Sequence, residues 1–508
     1  MRINLIEYFI ETVGKYPLRT AVIEGDHQLS FQQLKESSVS LACEISKKKC
    51  VINQPVAVYL PKSIDTVVAD MAITFSGNIY MNLDVKAPLE RTNNIISLIQ
   101  PVALITNKQY LETVKTFLPD SVEICLTDAD YPFDEKQEID LLKRLSKLID
   151  TYPYCIINTS GSTGTPKGVV LNHRGFFDFM EWSIETLKIG DNEIIGSLSP
   201  AVFDIYSHEL CMMMSKGSTI VLLPQNLSAF PIKILEILKK EKVSYLFWVP
   251  TIMVNIANMD LLSIIELPEL KTVWFAGEVF PTKQYNYWHK YLPHTKFVNL
   301  YGPIEITIDC VYYIVDREFD DSEPLPIGFA CRNTSLLILN ENNEQCKQGE
   351  EGELCVRGTS LAMGYYNDSE KTNLAFTQNP LNTKYPEIIY RTGDVVVENE
   401  RGELMFKGRR DTLVKHLGYR IELGEIEHVI VNTLRLTASG CVVYDNRNKE
   451  IILFYENTQD LPASDFHRQI ANYLPKYMIP TKYIRLDAMP MNTNGKIDRL
   501  KLNKEING

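Results

Sequence analysis

Short apolar, β-branched runs alternate with helix-length segments through most of this chain, and no other feature restricts its fold as much. The runs are VAVYL (56–60), VALIT (102–106), YCIINTS (154–160), STIVLLP (218–224), VSYLFWVP (243–250) and KTVWFAG (271–277). Each is followed by a segment of helical length, such as PIKILEILKKEK at 231–242. Strands separated by helices pair in parallel, with the helices covering the sheet faces. The pattern predicts an α/β body of parallel sheets. At the N-terminus, Leu5, Ile6, Phe9, Ile10 and Val13 share one helical face, with Glu7 and Glu11 inside the same segment. It reads as a docked amphipathic helix and not as a signal peptide.

From about Leu336 the character changes. TSLLILNENNEQC and GELCVRG are short strands with polar turns, which predicts a small antiparallel or barrel-like subdomain over about 336–408. A second boundary falls near GRRDTLVK (408–415). Residues 409–508 hold 15 Lys/Arg and 12 Asp/Glu, a net of +3, against −15 for the rest. A mildly basic terminal domain on an acidic body could meet an acidic partner. The expected organisation is an N-terminal core over 1–408, then a small α+β domain over 409–508.

With 45% apolar and 23% charged residues, the chain is globular rather than disordered. A net charge of −12 argues against a nucleic-acid coat. Ten cysteines without a C-x-x-C or zinc-ligand spacing read as the reduced thiols of a cytoplasmic protein. No apolar run reaches the roughly 18 residues that a membrane helix needs, so no membrane insertion is expected.

The most informative stretch is IINTSGSTGTPKGVV (156–170). A strand runs into small hydroxyl residues and glycines, then a lysine. Gly161, Gly164 and Gly168 permit tight turns and close approach of the backbone to a ligand. Thr159, Ser160, Ser162, Thr163 and Thr165 supply hydroxyls, and successive N–H groups can cradle an anion beside Lys167. The loop is not a Walker A motif, because Pro166 stands where its second glycine belongs.

TSGSTGTPKG resembles the signature loop of the adenylate-forming enzymes. Those include acyl-CoA synthetases, luciferases and the adenylation domains of nonribosomal peptide synthesis. The resemblance extends in order through LSFQQL (29–34), GNIYMNLDVKAP (77–88), NLYGPIEIT (299–307), GELCVRG (352–358), YRTGD (390–394), GRRDTLVKHLGYRIELGEIE (408–427), LPKYMIP (474–480) and NTNGKIDR (492–499). It is nearest to free-standing amino acid:carrier protein ligases, similar to D-alanine ligases and stand-alone adenylation domains. It implies a large α/β body followed by a mobile terminal domain.

The resemblance also implies roles. Activation of a carboxylate by ATP brings two anions together, so the site needs cations, donors and Mg²⁺. Thr159, Ser160, Thr163 and Lys167 resemble the β,γ-phosphate binders, within a loop that includes Gly161, Ser162 and Gly164. Glu305 resembles the Mg²⁺ carboxylate. Tyr301 resembles the ring stacked on adenine, beside Gly302, and Asn299 the group that reads the adenine amino edge. Asp394 resembles the acceptor of the ribose hydroxyls and Arg409 a second ribose contact. Lys496 resembles the mobile lysine that bridges the attacking carboxylate and the α-phosphate; Thr163, Glu305 and Lys496 are the catalytic candidates. Asp411 resembles the hinge, and the face around Lys415, Gly418 and Tyr419 the one that serves thioester formation. One position departs from the pattern. The usual threonine of YGPTE is Ile304, which cannot donate a hydrogen bond; either another hydroxyl such as Thr307 compensates or turnover is reduced.

In SPAVFDIYSHEL (199–210), Asp204 lies in an apolar run and resembles the carboxylate that grips an α-ammonium, which favours an amino acid over a fatty or aryl acid. A helix-capping aspartate is the alternative. By register with the family, Ile205, His208, Phe247 and Trp274 line the pocket. Ala276, Leu300, Ile308, Asp309 and Lys496 complete it. Three bulky members imply a small substrate; Asp309 adds a polar wall. The expected reaction is aminoacyl-AMP formation with release of pyrophosphate, then transfer to the phosphopantetheine thiol of a carrier protein acting in trans. An acyl-CoA synthetase and a catalytically weak nucleotide-binding scaffold are the alternatives.

Overall fold

The structure is a computed structural model that describes residues 2–49, 51–160, 166–409, 413–437, 439–457, 462–491 and 497–508. The chain divides into two compact units. One comprises Met1–Leu83, Gln100–Ile157 and Val169–Arg410; the other comprises Asp84–Ile99, Asn158–Gly168 and Asp411–Gly508.

The first unit holds three sheets. A nine-stranded sheet runs Phe329–Ala330, Val311–Ile314, Lys296–Tyr301, Thr272–Phe275, Tyr245–Trp248, Ile194–Ser197, Thr219–Leu222, Thr20–Glu24 and His27–Ser30. Its interior pairs are parallel, and antiparallel strands close both edges. A seven-stranded sheet contains Ile79–Asn82, Pro55–Val58, Ala103–Thr106 and Glu123–Leu126 as parallel neighbours. The first three are buried at every residue and are mostly apolar, as strands covered on both faces are, whereas Glu123–Leu126 at the edge is only partly buried. The third sheet, over Thr334–Leu339, Gly352–Gly358, Phe376–Gln378, Ile388–Glu398 and Leu404–Arg409, is entirely antiparallel. It is the small β-rich subdomain that the polar turns predict.

The N-terminal helix Leu5–Lys15 buries Leu5, Ile6, Phe9 and Val13, and the Asn4 side chain accepts from the Glu7 N–H. An asparagine at that position satisfies an N–H that the helix cannot. Among the described residues no helix is long and apolar enough to cross a membrane. No cysteine among the described residues is in a disulfide.

The second unit includes a three-stranded sheet, Ser439–Asp445, Glu450–Glu456 and Lys482–Leu486, with the Leu423–His428, Ala463–Ile470 and Arg499–Asn507 helices. Alternate residues of its first strand serve two cores. Val442 and Tyr444 pack with Ile426, Ile430 and Phe466, while Cys441 and Val443 pack with Met489 and Leu502. This is the period-two alternation of a sheet covered on both faces. In the same unit the Arg91 guanidinium pairs with Glu425, both buried, and Tyr419 stacks on Tyr477 at 3.6 Å.

Candidate active site

The candidate pocket residues come from the carboxyl ends of parallel strands, where α/β sheets gather their ligand sites. Phe247 is level with Trp274 and Val298 across three adjacent strands. Alternation then sorts the side chains. Tyr245, Phe247, Trp274, Ala276, Val298 and Leu300 face one core, while Leu246, Trp248, Val273, Phe275 and Phe297 face the other. Ile205, on the Asp204–Lys216 helix, joins the first set. The structure therefore puts Phe247, Trp274, Ala276 and Leu300 of the predicted pocket on one face of one sheet.

His208, Phe247 and Trp274 are each 0% exposed. The His208 ring stacks on Trp274 at 5.3 Å, and Phe247 meets both edge-on at 5.7 and 5.5 Å. Burial holds the His208 pKa down, at about 3, so the ring is neutral. Its Nε2 lies 3.3 Å from the Tyr245 hydroxyl. The His208 Nδ1 and the Trp274 indole N–H are buried without hydrogen-bond partners. Native structures leave few polar atoms in that state.

Asp204 is the first residue inside its helix. The capping position is Phe203, which has no capping side chain, so Asp204 does not cap the helix. The loop before it is tied down by Lys62, whose Nζ donates to the Ser197 and Ser199 carbonyls at 2.7 and 2.9 Å.

The adenine and ribose candidates, with Glu305, lie in the same unit. The Tyr301 hydroxyl donates to one Asp394 oxygen and Arg409 to the other. Arg409 also donates to the Thr392 carbonyl at 2.9 Å. Burial, with the Asp394 charge second, pushes the Tyr301 phenol well above its ordinary pKa. The Asn299 amide donates to the Pro326 carbonyl at 2.7 Å. Glu305 is fully buried and accepts from the Tyr365 hydroxyl at 2.9 Å. The Thr307 hydroxyl, the candidate replacement for the missing threonine, is buried and donates to the Ser360 carbonyl at 2.8 Å.

The turn after Tyr301 is tight. A Cβ on Gly302 would lie 2.5 Å from the Asp309 Cα and 2.6 Å from the Ile308 carbonyl oxygen. Thr307 and Ile308 have φ of 50° and 67°, a region that β-branched residues avoid. Strain of this kind is held by the surrounding structure and collects at functional sites. Gly302→Ala should therefore destabilise the protein by about 1–3 kcal/mol, because backbone rather than a flexible side chain must yield. A thermal melt checks this; an unchanged midpoint would show that the turn relaxes freely.

In the second unit, the Ser160 hydroxyl donates to the Arg420 carbonyl at 2.7 Å and accepts from the Glu422 N–H at 3.0 Å. Lys167 lies 3.5 Å from Glu422. Both polar atoms of the Asn158 side chain and the Thr159 hydroxyl are buried without hydrogen-bond partners, so the strand leading into the loop retains unspent polar atoms of the sort that a phosphate ligand would use. Gly161, Ser162, Thr163, Gly164, Asp411 and Lys496 lie outside the described residues. Tyr365 and Glu422 contact candidate site residues and Lys62 holds the loop before Asp204, and sequence reasoning singled out none of the three. Each acts across 60 or more positions in sequence, and no local pattern marks them.

A family model described as AMP-binding enzyme matches residues 9–366. The chain is 29% identical over 504 residues to a delta-poly-L-ornithine synthetase of Acinetobacter baumannii, covering 98% of this chain and 36% of that protein. It is 29% identical over 500 residues to zwittermicin A synthase ZmaJ of Bacillus cereus, covering 97% and 93%. It is 28% identical over 515 residues to the L-proline–(L-prolyl-carrier protein) ligase of Pseudomonas fluorescens, covering 99% of each. The chain thus spans about a third of the first relative and nearly all of the other two. Among solved structures, the fold is similar to the Vibrio cholerae adenylation domain AlmE in complex with glycyl-adenosine-5'-phosphate. The TM-score is 0.85 at 21% identity, covering 99% of this chain and 98% of that one. It is also similar to holo-PA1221, a protein containing adenylation and PCP domains, with a TM-score of 0.79 at 21% identity, covering 99% and 84%.

Proposed function

Because the chain belongs to the AMP-binding enzyme family and is an adenylate-forming ligase, we propose that its substrate is a small or polar α-amino acid. The amino acid's carboxylate oxygen attacks the α-phosphorus of ATP. The bond to the bridging oxygen breaks, and pyrophosphate leaves. The thiol of a carrier protein's phosphopantetheine arm then attacks the aminoacyl carbon, giving a thioester, AMP and a proton.

The observation that carries this reading is Asp204, an acidic residue opening a helix whose Ile205 joins a sheet face of apolar and aromatic side chains that includes Phe247 and Trp274. A carboxylate there suits an ammonium and repels the tail of a fatty acid. The stacked His208 and Trp274 rings, with Phe247, take the volume that a large side chain needs. The partnerless His208 Nδ1 and Trp274 N–H favour a side chain that can hydrogen-bond. Transfer to a separate carrier is supported by the prolyl-carrier protein ligase matched along its whole length.

In this reading Asp394 and Arg409 hold the ribose, Tyr301 and Asn299 the adenine, and the 159–167 loop the phosphates. Glu305 would hold Mg²⁺, which supplies charge neutralisation on the phosphates. Among the described residues no group of three or more His, Cys, Asp or Glu side chains could cage a metal. Mg²⁺ in nucleotide sites commonly binds through one or two carboxylates and the substrate phosphates. Residues 409–508 would be the mobile domain, hinged at Asp411, that carries Lys496 to and from the phosphate.

The test is ATP–pyrophosphate exchange across the proteinogenic amino acids, D-alanine and ornithine. Signal is expected from one or a few small acids, serine-sized rather than larger. Trp274→Ala should lower that signal and admit larger side chains, since it removes most of the ring floor. Preference of the unaltered protein for large aromatic acids would overturn the pocket assignment. CoA-dependent turnover of organic acids, without amino-acid-dependent exchange, would favour an acyl-CoA synthetase.

A further inference from the structure

The Ile64–Phe75 helix is buried from Thr66 onward, and among those buried residues it carries one carboxylate, Asp70, which is 1% exposed. A buried carboxylate in a core helix is costly, and a hydrophobe of the same size would serve stability better. Its partners point elsewhere than stability. The Tyr206 hydroxyl donates to Asp70 Oδ2 at 2.9 Å. The Asn82 amide donates to the same oxygen at 3.0 Å, and also to the Ala201 carbonyl at 3.2 Å. Ala201 precedes Asp204 by three residues and Tyr206 follows it by two. One residue further on, Ser207 is held by the Tyr80 hydroxyl at 2.7 Å.

We infer that Asp70 is a positioning residue for Asp204, fixing the backbone on both sides of the carboxylate that receives the substrate's ammonium. This rests on the amino-acid reading above. Asn82 holds the loop that leads into Asp204, Tyr206 holds the helical turn that leaves it, and both converge on one carboxylate oxygen. Asp70 Oδ1 and Asn82 Oδ1 have no hydrogen-bond partner, so the network is incompletely satisfied, as expected of polar groups retained for placement rather than for stability. Burial raises the Asp70 pKa to about 7, which reflects the same cost. Without the clamp, the loop and the first turn can shift, and an error of about an ångström in Asp204 weakens the ammonium contact without touching the nucleotide side.

The experiment is steady-state exchange with the full chain and the amino acid that the panel identifies, for Asp70→Ala, Asp70→Asn and Tyr206→Phe. Asp70→Ala should raise the KM for the amino acid on the order of tenfold, and Tyr206→Phe several-fold, as loss of buried hydrogen bonds implies. The KM for ATP and the kcat at saturating amino acid should stay within about twofold. Asp70→Asn, which keeps an acceptor oxygen for both donors, should recover most of the loss. Folded variants with an unchanged amino-acid KM would overturn the clamp. So would a loss shared equally by both substrates and kcat, the sign of a merely structural role. Should Asp70→Ala fail to fold, Tyr206→Phe, which removes a single oxygen atom, decides the question. Absence of any amino-acid-dependent exchange in the unaltered protein would overturn the amino-acid reading and the clamp with it, whereas normal exchange with insensitive variants would overturn the clamp alone.

Discussion

Asp394→Ala should lower kcat/KM for ATP by at least about a hundredfold and lower the melting temperature as well. The carboxylate is 6% exposed and pairs with Arg409, itself 14% exposed, and it also accepts from the Tyr301 hydroxyl. Removing one member of such a pair strands the other charge, at a cost of about 3–5 kcal/mol. Here the stranded group is Arg409, whose Nη2 donates to the neutral Thr392 carbonyl, which does not replace the lost carboxylate charge. Tyr301 is freed at the same time, so the ring proposed to lie on adenine loses its anchor. Asp394→Asn separates the two effects. It keeps the shape and an acceptor for Tyr301 but removes the charge, so its stability should fall between the parent and the alanine variant. Nucleotide binding by calorimetry, read beside a thermal melt, checks both. A folded Asp394→Ala variant with unchanged ATP affinity would remove Asp394 from the nucleotide site.

Much of this fold is legible in the sequence because its strands are buried on both faces. Such strands appear as continuous apolar runs, and the helices between them force parallel pairing. The Tyr245–Trp248 and Thr272–Phe275 strands are of this kind, and the rule of alternate faces then brings Phe247 and Trp274 together. The site is less legible because its supporting contacts are distant in sequence. Tyr365 reaches Glu305 across 60 residues and Arg91 reaches Glu425 across 334. The grouping of 84–99 with the terminal segment follows from contacts of that second sort, which composition and charge balance do not register. Thr307 illustrates a different limit. Its hydroxyl is suitable in chemistry and position along the chain, but a positive φ and the Ser360 carbonyl direct it into the protein. Asp70 did leave a sequence signal, a lone acid in VVADMAITF, but a signal of that kind names no partner until Tyr206 and Asn82 are placed beside it.

Lys496→Ala should leave nucleotide binding nearly intact and reduce amino-acid-dependent exchange by about a hundredfold to a thousandfold. The argument is electrostatic. In the proposed reaction a carboxylate approaches an α-phosphate, and negative charge shifts toward the departing pyrophosphate as the new bond forms. An ammonium between the two anions offsets their repulsion most strongly when they are closest, that is, in the transition state. Removing one preorganised charge of this kind typically costs about 2.7–4 kcal/mol in the chemical step. Because the proposed role of the lysine is toward the reacting atoms and not toward adenine or ribose, the loss should fall on kcat, with the KM for ATP little changed. Transfer of a preformed aminoacyl adenylate to a carrier thiol should also survive, since that step has no carboxylate–phosphate repulsion to offset. Lys496→Arg keeps the charge but spreads it over a planar group with a different reach, so it should recover only part of the rate. A variant that lost ATP binding and exchange together would instead place Lys496 among the residues that hold the nucleotide.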